Sequence, residues 1–311
     1  MTSDELLRRI EEGGLIAGPG PVVVMLSGGR DSVCMLDLAA RARGAAEVTA
    51  LHVNYGLREE ADGDERHCAE LCVRLGVALE VERPRRPEGP GNLQAWAREE
   101  RYAAAARLAD GAGATIVTGH TADDQVETIL YRLASSPSRR ALLGMRPQDG
   151  RLARPLLGTT REETTAYCEG RGLRWRDDAS NEEADYKRNL LRRDVIPELM
   201  KIHPAARQNV LRTAALLREE AELLDSLVDA ELSAAGERSS SISQERFAQL
   251  HPALRRLVLQ RLADEAAGWP VAGAARFAEQ VAELTRGGSR LDLGSGVQAV
   301  IEGGVLRALR S

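Results

Sequence analysis

Two hydrophobic rhythms divide the chain. Val22-Val23-Val24-Met25-Leu26 is an unbroken apolar run, the pattern of a strand buried on both faces of a parallel sheet. A helix is predicted from about residue 32, stopped by Gly44, and a strand over 47–53. Cys68, Leu71, Cys72 and Leu75 then recur at helical spacing, and 77–81 reads as a third strand. Asn92 is placed to cap the helix that follows. A fourth strand over 114–118 precedes a helix over about 123–133. Repeated strand–helix units call for right-handed crossovers and a sheet covered on both sides. The fold class expected is α/β, a doubly wound parallel sheet, with a second and mostly helical domain.

The rhythm changes at His203-Pro204, where the residue before proline is pushed out of helical geometry. Helices are predicted over 205–235, 245–267 and 272–285. Short apolar pieces between glycines over 291–309 suggest a hairpin or small sheet. The expected domains are therefore 1–203 and 204–311.

Composition narrows the picture. The chain has 311 residues with 43% hydrophobic positions, enough for two domain cores. The run at 22–26 is far short of the roughly 20 residues of a membrane helix. The first twenty residues carry four acids and no apolar core segment, so no signal peptide is read there. Four cysteines do not make a disulfide framework in a chain this long, which favours a reducing, cytoplasmic setting. The net charge of −5 argues against a uniformly basic RNA binder, yet the charge is blocked. Residues 132–176 hold ten arginines against four acids, residues 186–212 seven basic residues against two acids, and 219–237 seven acids with no base. Such blocks allow a basic surface on an acidic protein. No G-x-G-x-x-G follows a strand. The only lysines, Lys187 and Lys201, do not follow glycine, so a Walker A loop is excluded.

The chemistry starts at Ser27-Gly28-Gly29-Arg30-Asp31-Ser32, between the first strand and the first helix. Ligands of open α/β sheets bind beyond the carboxyl ends of strands. Two glycines let bare N–H groups approach an anion, helped by the hydroxyls of Ser27 and Ser32 and by the positive end of the helix. Asp31 would repel phosphate without a cation, so it is read as a Mg²⁺ ligand. SGGRDS after an apolar strand resembles the signature of the PP-loop ATP pyrophosphatases.

Further blocks follow in order: His52-Val53-Asn54-Tyr55-Gly56-Leu57-Arg58, Asn92 to Tyr102, Gly119-His120-Thr121-Ala122-Asp123-Asp124-Gln125-Val126-Glu127-Thr128, Arg154-Pro155-Leu156-Leu157, Asp178-Ala179-Ser180-Asn181, Asp185 to Asn189 and Val195 to Leu199. In this order, over roughly residues 20–200, they resemble the tRNA(Ile)-lysidine synthase family. The resemblance implies joining of free lysine to the wobble cytidine of tRNA(Ile) with a CAU anticodon, using ATP and Mg²⁺. It also implies nucleotide contacts at His52 and Val53, lysine handling by Asp124, Glu127 and Arg101, and a short helical accessory domain.

The residues support part of this on their own. His120 lies just beyond the fourth strand, on the side of the phosphate loop, within reach of an α-phosphate. Asp124 and Glu127 are three apart and share one helix face, which suits a cationic substrate. Arg98 or Arg101 is placed to pair with that substrate's carboxylate. Arg188, Arg192, Arg193, Lys201 and Arg207 are candidate contacts to RNA phosphates. Two positions depart from the family: Tyr55 stands where a second histidine is usual, and Ser135-Ser136-Pro137-Ser138 replaces Arg-Gly-(Ser/Thr)-Gly. Two rivals stay open. A thiolating enzyme would use paired cysteines, but Cys68 and Cys72 lie on an apolar stripe; a non-catalytic RNA or nucleotide binder would not need this set of acids. A homodimer is left open by the sequence.

Overall fold

The computed structural model describes residues 2–18, 20–57, 60–87, 92–135, 139–176, 186–233, 240–284 and 289–310. Residues 178–181 and 185 of the last motif block, Arg58, and positions 136–138 of the departing loop lie outside them. The chain forms two compact units, Met1–Ala215 and Leu216–Ser311.

Unit one is built on a six-stranded sheet of order β3-β2-β1-β4-β6-β5. Its strands are β1 (Val22–Met25), β2 (Val48–Val53), β3 (Ala78–Glu82), β4 (Thr115–Val117), β5 (Gln148–Asp149) and β6 (Leu152–Ala153). All neighbours are parallel except β5, which returns antiparallel to β6. Val22 of β1 sits beside Val48 on one flank and Thr115 on the other. The winding therefore reverses at β1 and β4, the topological switch point at which such sheets bind ligands.

Alternation along β1 makes the sheet doubly covered. Val22 and Val24 enter one core with Leu6, Leu36, Cys68 and Tyr167; Val23 and Met25 enter the other with Ala104, Ala105 and Ala109. The first core is covered by α1 (Ser3–Glu12), α2 (Arg30–Arg43), α3 (Ala61–Leu75) and, later in the chain, the helix Arg161–Gly170; the second is covered by α4 (Leu93–Ala112). Asn92 caps α4 as expected, accepting from the N–H groups of Gln94 and Ala95. Next come α5 (Ala122–Ser135), α6 (Arg139–Leu142), α7 (Arg161–Gly170), α8 (Tyr186–Leu190), one π turn over Leu191–Val195, and α9 (Ile196–Ile202). Thr160 starts α7 with a capping box, its hydroxyl accepting from the Glu163 N–H while Glu163 accepts from its own.

His203 takes extended geometry and ends α9, as Pro204 requires. The following helix α10 (Ala206–Ser233) contains the division between the compact units.

Unit two carries the helices expected together with a four-stranded antiparallel sheet, β7-β10-β9-β8, in which β7 joins the small sheet expected over 291–309. The strands are β7 (Ser241–Ser243), β8 (Ser289–Gly294), β9 (Val297–Glu302) and β10 (Val305–Arg310). The helix expected over 245–267 is two helices, α11 (Gln244–Gln249) and α12 (Pro252–Ala267), since Leu250 and His251 leave helical geometry ahead of Pro252. The third expected helix shrinks to a 3₁₀ turn and α13 (Ala278–Glu283) after left-handed Gly273. Phe247, Leu259, Leu262, Ile301 and Leu306 are buried in one core. Among the described residues no helix is long and apolar enough to cross a membrane.

Candidate active site

The loop after β1 and the loop after β4 lie side by side at the switch point. Gly28 has φ +86°, and a Cβ there would stand 3.3 Å from the Cys68 sulfur, so only glycine makes this turn without strain. The Ser32 hydroxyl donates to the Gly29 carbonyl at 2.8 Å and accepts from the Ser27 N–H at 3.2 Å, which closes the loop on itself. The two serine hydroxyls are 3.1 Å apart. From the other side the Arg176 N–H donates to the Gly28 carbonyl.

Gly119, at the end of β4, locks the two loops together. A Cβ there would fall 2.7 Å from the Asp31 carbonyl oxygen and 2.9 Å from the Ser32 nitrogen, distances backbone atoms cannot tolerate. Gly119→Ala is therefore expected to push the phosphate loop off its position, at a cost of about 1–3 kcal/mol and with loss of nucleotide affinity. Denaturant unfolding and ATP calorimetry of the variant check this; a wild-type ATP affinity would show that the loop has slack.

The acids form one network. The Asp31 Oδ1 accepts from Thr164 Oγ1 at 2.5 Å and from Arg30 Nε at 3.0 Å. Arg161, the first residue of α7, reaches three carboxylates with one guanidinium: Asp124 at 2.7 Å, Glu127 at 3.1 Å and Asp31 at 3.9 Å. Its backbone N–H donates to Asp123 Oδ2 at 2.9 Å. A cation at a helix N-terminus opposes the helix dipole; here the converging carboxylates offset that. Burial alone would raise the Asp124 carboxyl, but Arg161 and the N–H and hydroxyl of Thr121 outweigh it and hold the group below the usual carboxylate range. Burial lowers the Arg161 guanidinium, but the carboxylates of Asp124, Glu127, Asp31 and Asp123 raise it, and it ends above its usual value.

Glu127 is 3% exposed and is gripped a second time. Arg192, on the π turn, donates Nε–H and Nη2–H to its two oxygens at 2.8 and 3.0 Å. Isolated π turns occur often at functional sites. Arg207 pairs with Asp123 at 3.1 Å and with Glu162 at 3.3 Å. Two of the five residues expected to meet RNA thus face this acidic helix. Lys201 pairs with Glu198, and Arg188 and Arg193 are exposed.

His120 Nδ1 lies 2.7 Å from the Thr118 hydroxyl. Burial, reinforced by Arg154, Arg101 and Arg98, drops its pKa to about 4 despite Asp124, so the ring is neutral near pH 7. Arg98 stacks over the Tyr102 ring at 4.8 Å, with Arg101 at 5.8 Å. The His52 side chain is buried, with Nδ1 2.9 Å from the Leu26 carbonyl and 3.4 Å from the Cys68 sulfur; it braces the floor under the loop. Val53, half-buried at the end of β2, stands beside it. Tyr55 donates to the Ala97 carbonyl at 2.8 Å and meets Trp96 edge-on.

All four cysteines are free and buried, and burial pushes the Cys68 thiol up to about 12, as fits core packing. Among the described residues no three His, Cys, Asp or Glu side chains form a metal cage. Asp31 lies in the phosphate loop itself, between Gly29 and Ser32, and one carboxylate beside substrate phosphates is an ordinary Mg²⁺ ligand set. Arg161 and Thr164 were not singled out by the sequence. Asp123, quoted only as part of the Gly119–Thr128 block, accepts from the first N–H of α7.

A family model described as the PP-loop domain matches residues 4–199. The tRNA(Ile)-lysidine synthase of Dehalococcoides mccartyi is 34% identical over 94% of this chain and 67% of its own length. The chain belongs to the tRNA(Ile)-lysidine synthase family of PP-loop proteins. The family's enzyme from Pseudomonas syringae pv. tomato is 43% identical over 66% of this chain and 47% of its own length. The chain thus spans about half the length of the Pseudomonas relatives it matches. Among solved structures, the U34-tRNA thiolase NcsA from Methanococcus maripaludis with its [4Fe-4S] cluster superposes with a TM-score of 0.55 at 17% identity, over 69% of this chain and 78% of that one. That likeness is one of fold alone.

Proposed function

We propose that this chain ligates free L-lysine to carbon-2 of the wobble cytidine of tRNA(Ile) with a CAU anticodon, consuming ATP and releasing AMP and pyrophosphate. The observation that carries the reading is Arg161. One guanidinium joins Asp31 of the phosphate loop to Asp124 and Glu127, so a cation-binding acidic pair sits next to a nucleotide site. The names of the relatives point the same way.

In the first step the carbonyl oxygen on carbon-2 of the cytosine attacks the α-phosphorus and pyrophosphate leaves. The loop N–H groups and the hydroxyls of Ser27 and Ser32 cradle the departing charge. Mg²⁺, held at Asp31, would neutralise phosphoryl charge. With the Thr118 hydroxyl donating to Nδ1, the neutral ring of His120 carries its proton on Nε2 and donates it to the α-phosphate as a hydrogen bond. In the second step the ε-amine of lysine attacks carbon-2, AMP departs, and the proton shed by the amine passes to a carboxylate of the acidic pair. The ammonium of lysine takes the place of Arg192 on Glu127, and Arg98 or Arg101 pairs with its carboxylate. Arg188, Arg193 and Lys201, with Arg192 once displaced and with Arg207, serve the RNA backbone. Residues 1–203 act as the nucleotide-binding catalytic domain and 204–311 as the accessory, RNA-contacting one.

The test is incubation of the chain with ATP, Mg²⁺, labelled lysine and the CAU tRNA. One AMP and one pyrophosphate should form for each lysine incorporated. ATP binding without turnover, or label entering from a sulfur donor instead, would displace this reading. Glu127→Gln is expected to weaken lysine binding about tenfold or more and to leave ATP affinity within about twofold of wild type, since no contact to the loop is lost. Equal losses of both in calorimetry would take Glu127 out of the lysine site.

A further inference from the structure

Arginines also gather near His120, where the charges of Arg154, Arg101 and Arg98 act on its ring. Arg132, near the end of α5, donates Nη1–H to the Gly144 carbonyl at 2.6 Å. Arg154, just after β6, donates Nη1–H to the Arg146 carbonyl at 2.7 Å. Gln125 clasps Met145 between them, donating to its carbonyl at 2.9 Å and accepting from its N–H at 2.7 Å. Two guanidiniums thus hang from alternate carbonyls of one pinned turn. Arg154 is 7% exposed, and its buried Nε has no hydrogen-bond partner among the described residues. Neither Arg132 nor Arg154 has a carboxylate partner among them. Burial and then the charges of Arg154, Arg188 and Arg98 lower the Arg132 pKa, so three further guanidiniums lie within electrostatic reach of Arg132. Buried or crowded cations are retained when an anion completes them.

We propose that Arg132 and Arg154, with Arg98 and Arg188 at the mouth, form a second anion site that takes a phosphodiester of the RNA strand carrying the reacting base. The proposal rests on the RNA-modifying reading above. The planar forks of arginine match phosphate oxygens in pairs. Arg98, Arg132 and Arg188 are exposed, which admits a strand rather than only a small molecule. Arg98 also stacks on Tyr102, and the Tyr55–Trp96 pair belongs to the same neighbourhood of α4. Arginines interleaved with aromatic faces are how unstacked RNA is commonly held. The triphosphate already has its own loop.

The experiment measures binding of an RNA stem-loop with a CAU anticodon to the full chain between about 50 and 200 mM salt. Arg132→Gln is expected to lower affinity about tenfold and to flatten the slope of log affinity against log salt by about 0.7, one single-strand phosphate. ATP and lysine affinities should stay at wild type. Arg132→Lys should restore the slope, because its charge remains. Arg154→Gln should act like Arg132→Gln; if its burial prevents folding, the exposed Arg132 still decides. A wild-type slope in Arg132→Gln would overturn the site, as would a loss of ATP or lysine affinity in place of RNA affinity. Wild-type protein that does not bind the RNA at all would instead overturn the reading on which this one stands.

Discussion

Arg161→Ala is expected to destabilise the protein by about 3 kcal/mol, the lower end of what removing one partner from a buried ion pair costs. The loss is large because Asp124 and Glu127 both depend on this guanidinium, and Glu127 is almost wholly buried. It falls at the lower end because Arg192 keeps its two-point hold on Glu127, while Thr121 still donates its N–H and hydroxyl to Asp124. Arg161→Lys should recover only part, since a single ammonium cannot span carboxylates that need a planar fork. The pair also couples: Arg161→Ala combined with Glu127→Gln should cost less than the sum of the two, because the second change removes the charge that the first leaves exposed to repulsion. Urea unfolding of the four proteins measures this. A loss below about 1 kcal/mol for Arg161→Ala, the level of an exposed pair, would mean that the network is held by other contacts.

The sequence carried the scaffold of this site further than its wiring. The unbroken apolar run ending at Leu26 and the Gly28-Gly29 turn are local signals, and both the parallel sheet and the loop at its switch point follow from them. Asp124 and Glu127 share a face because helical geometry puts residues three apart together. Arg161 gave no such signal. Its partners lie far along the chain, and only the packing of α7 against α2 brings its guanidinium to Asp31. The same is true of Arg192 and Arg207, which looked like basic surface and in fact face acids. Strands β5 and β6, two residues each, are too short to show any period. In unit two the apolar pieces over 291–309 marked strands, but β7 joins that sheet from a distant segment. The break at His251-Pro252 was legible from the proline rule and was overridden by the helical spacing on either side.

His120 should make stability depend on pH in a window that carboxylates do not occupy. Its folded pKa, about 4, lies below the ordinary 6.5, so the unfolded chain takes up the proton first as the solution is acidified. The contribution to stability is complete above about pH 6.5 and is lost as pH falls toward 4, by up to about 3 kcal/mol. Asp124 is lowered too, but its contribution is present above its unfolded value and disappears only as pH falls below about 4. The two titrations are therefore separated. His67 is also lowered, by burial and by Arg176, and adds to the slope in the same direction, so the informative comparison is among variants. His120→Gln should remove most of the decline between pH 6.5 and 4 while His67→Asn removes less. Denaturant midpoints at intervals of pH, converted with the measured m-value, give each slope. If His120→Gln keeps the wild-type slope, the ring is already reached by water in the folded chain. The neutral donor assigned to the α-phosphate would then have to be an imidazolium near pH 6.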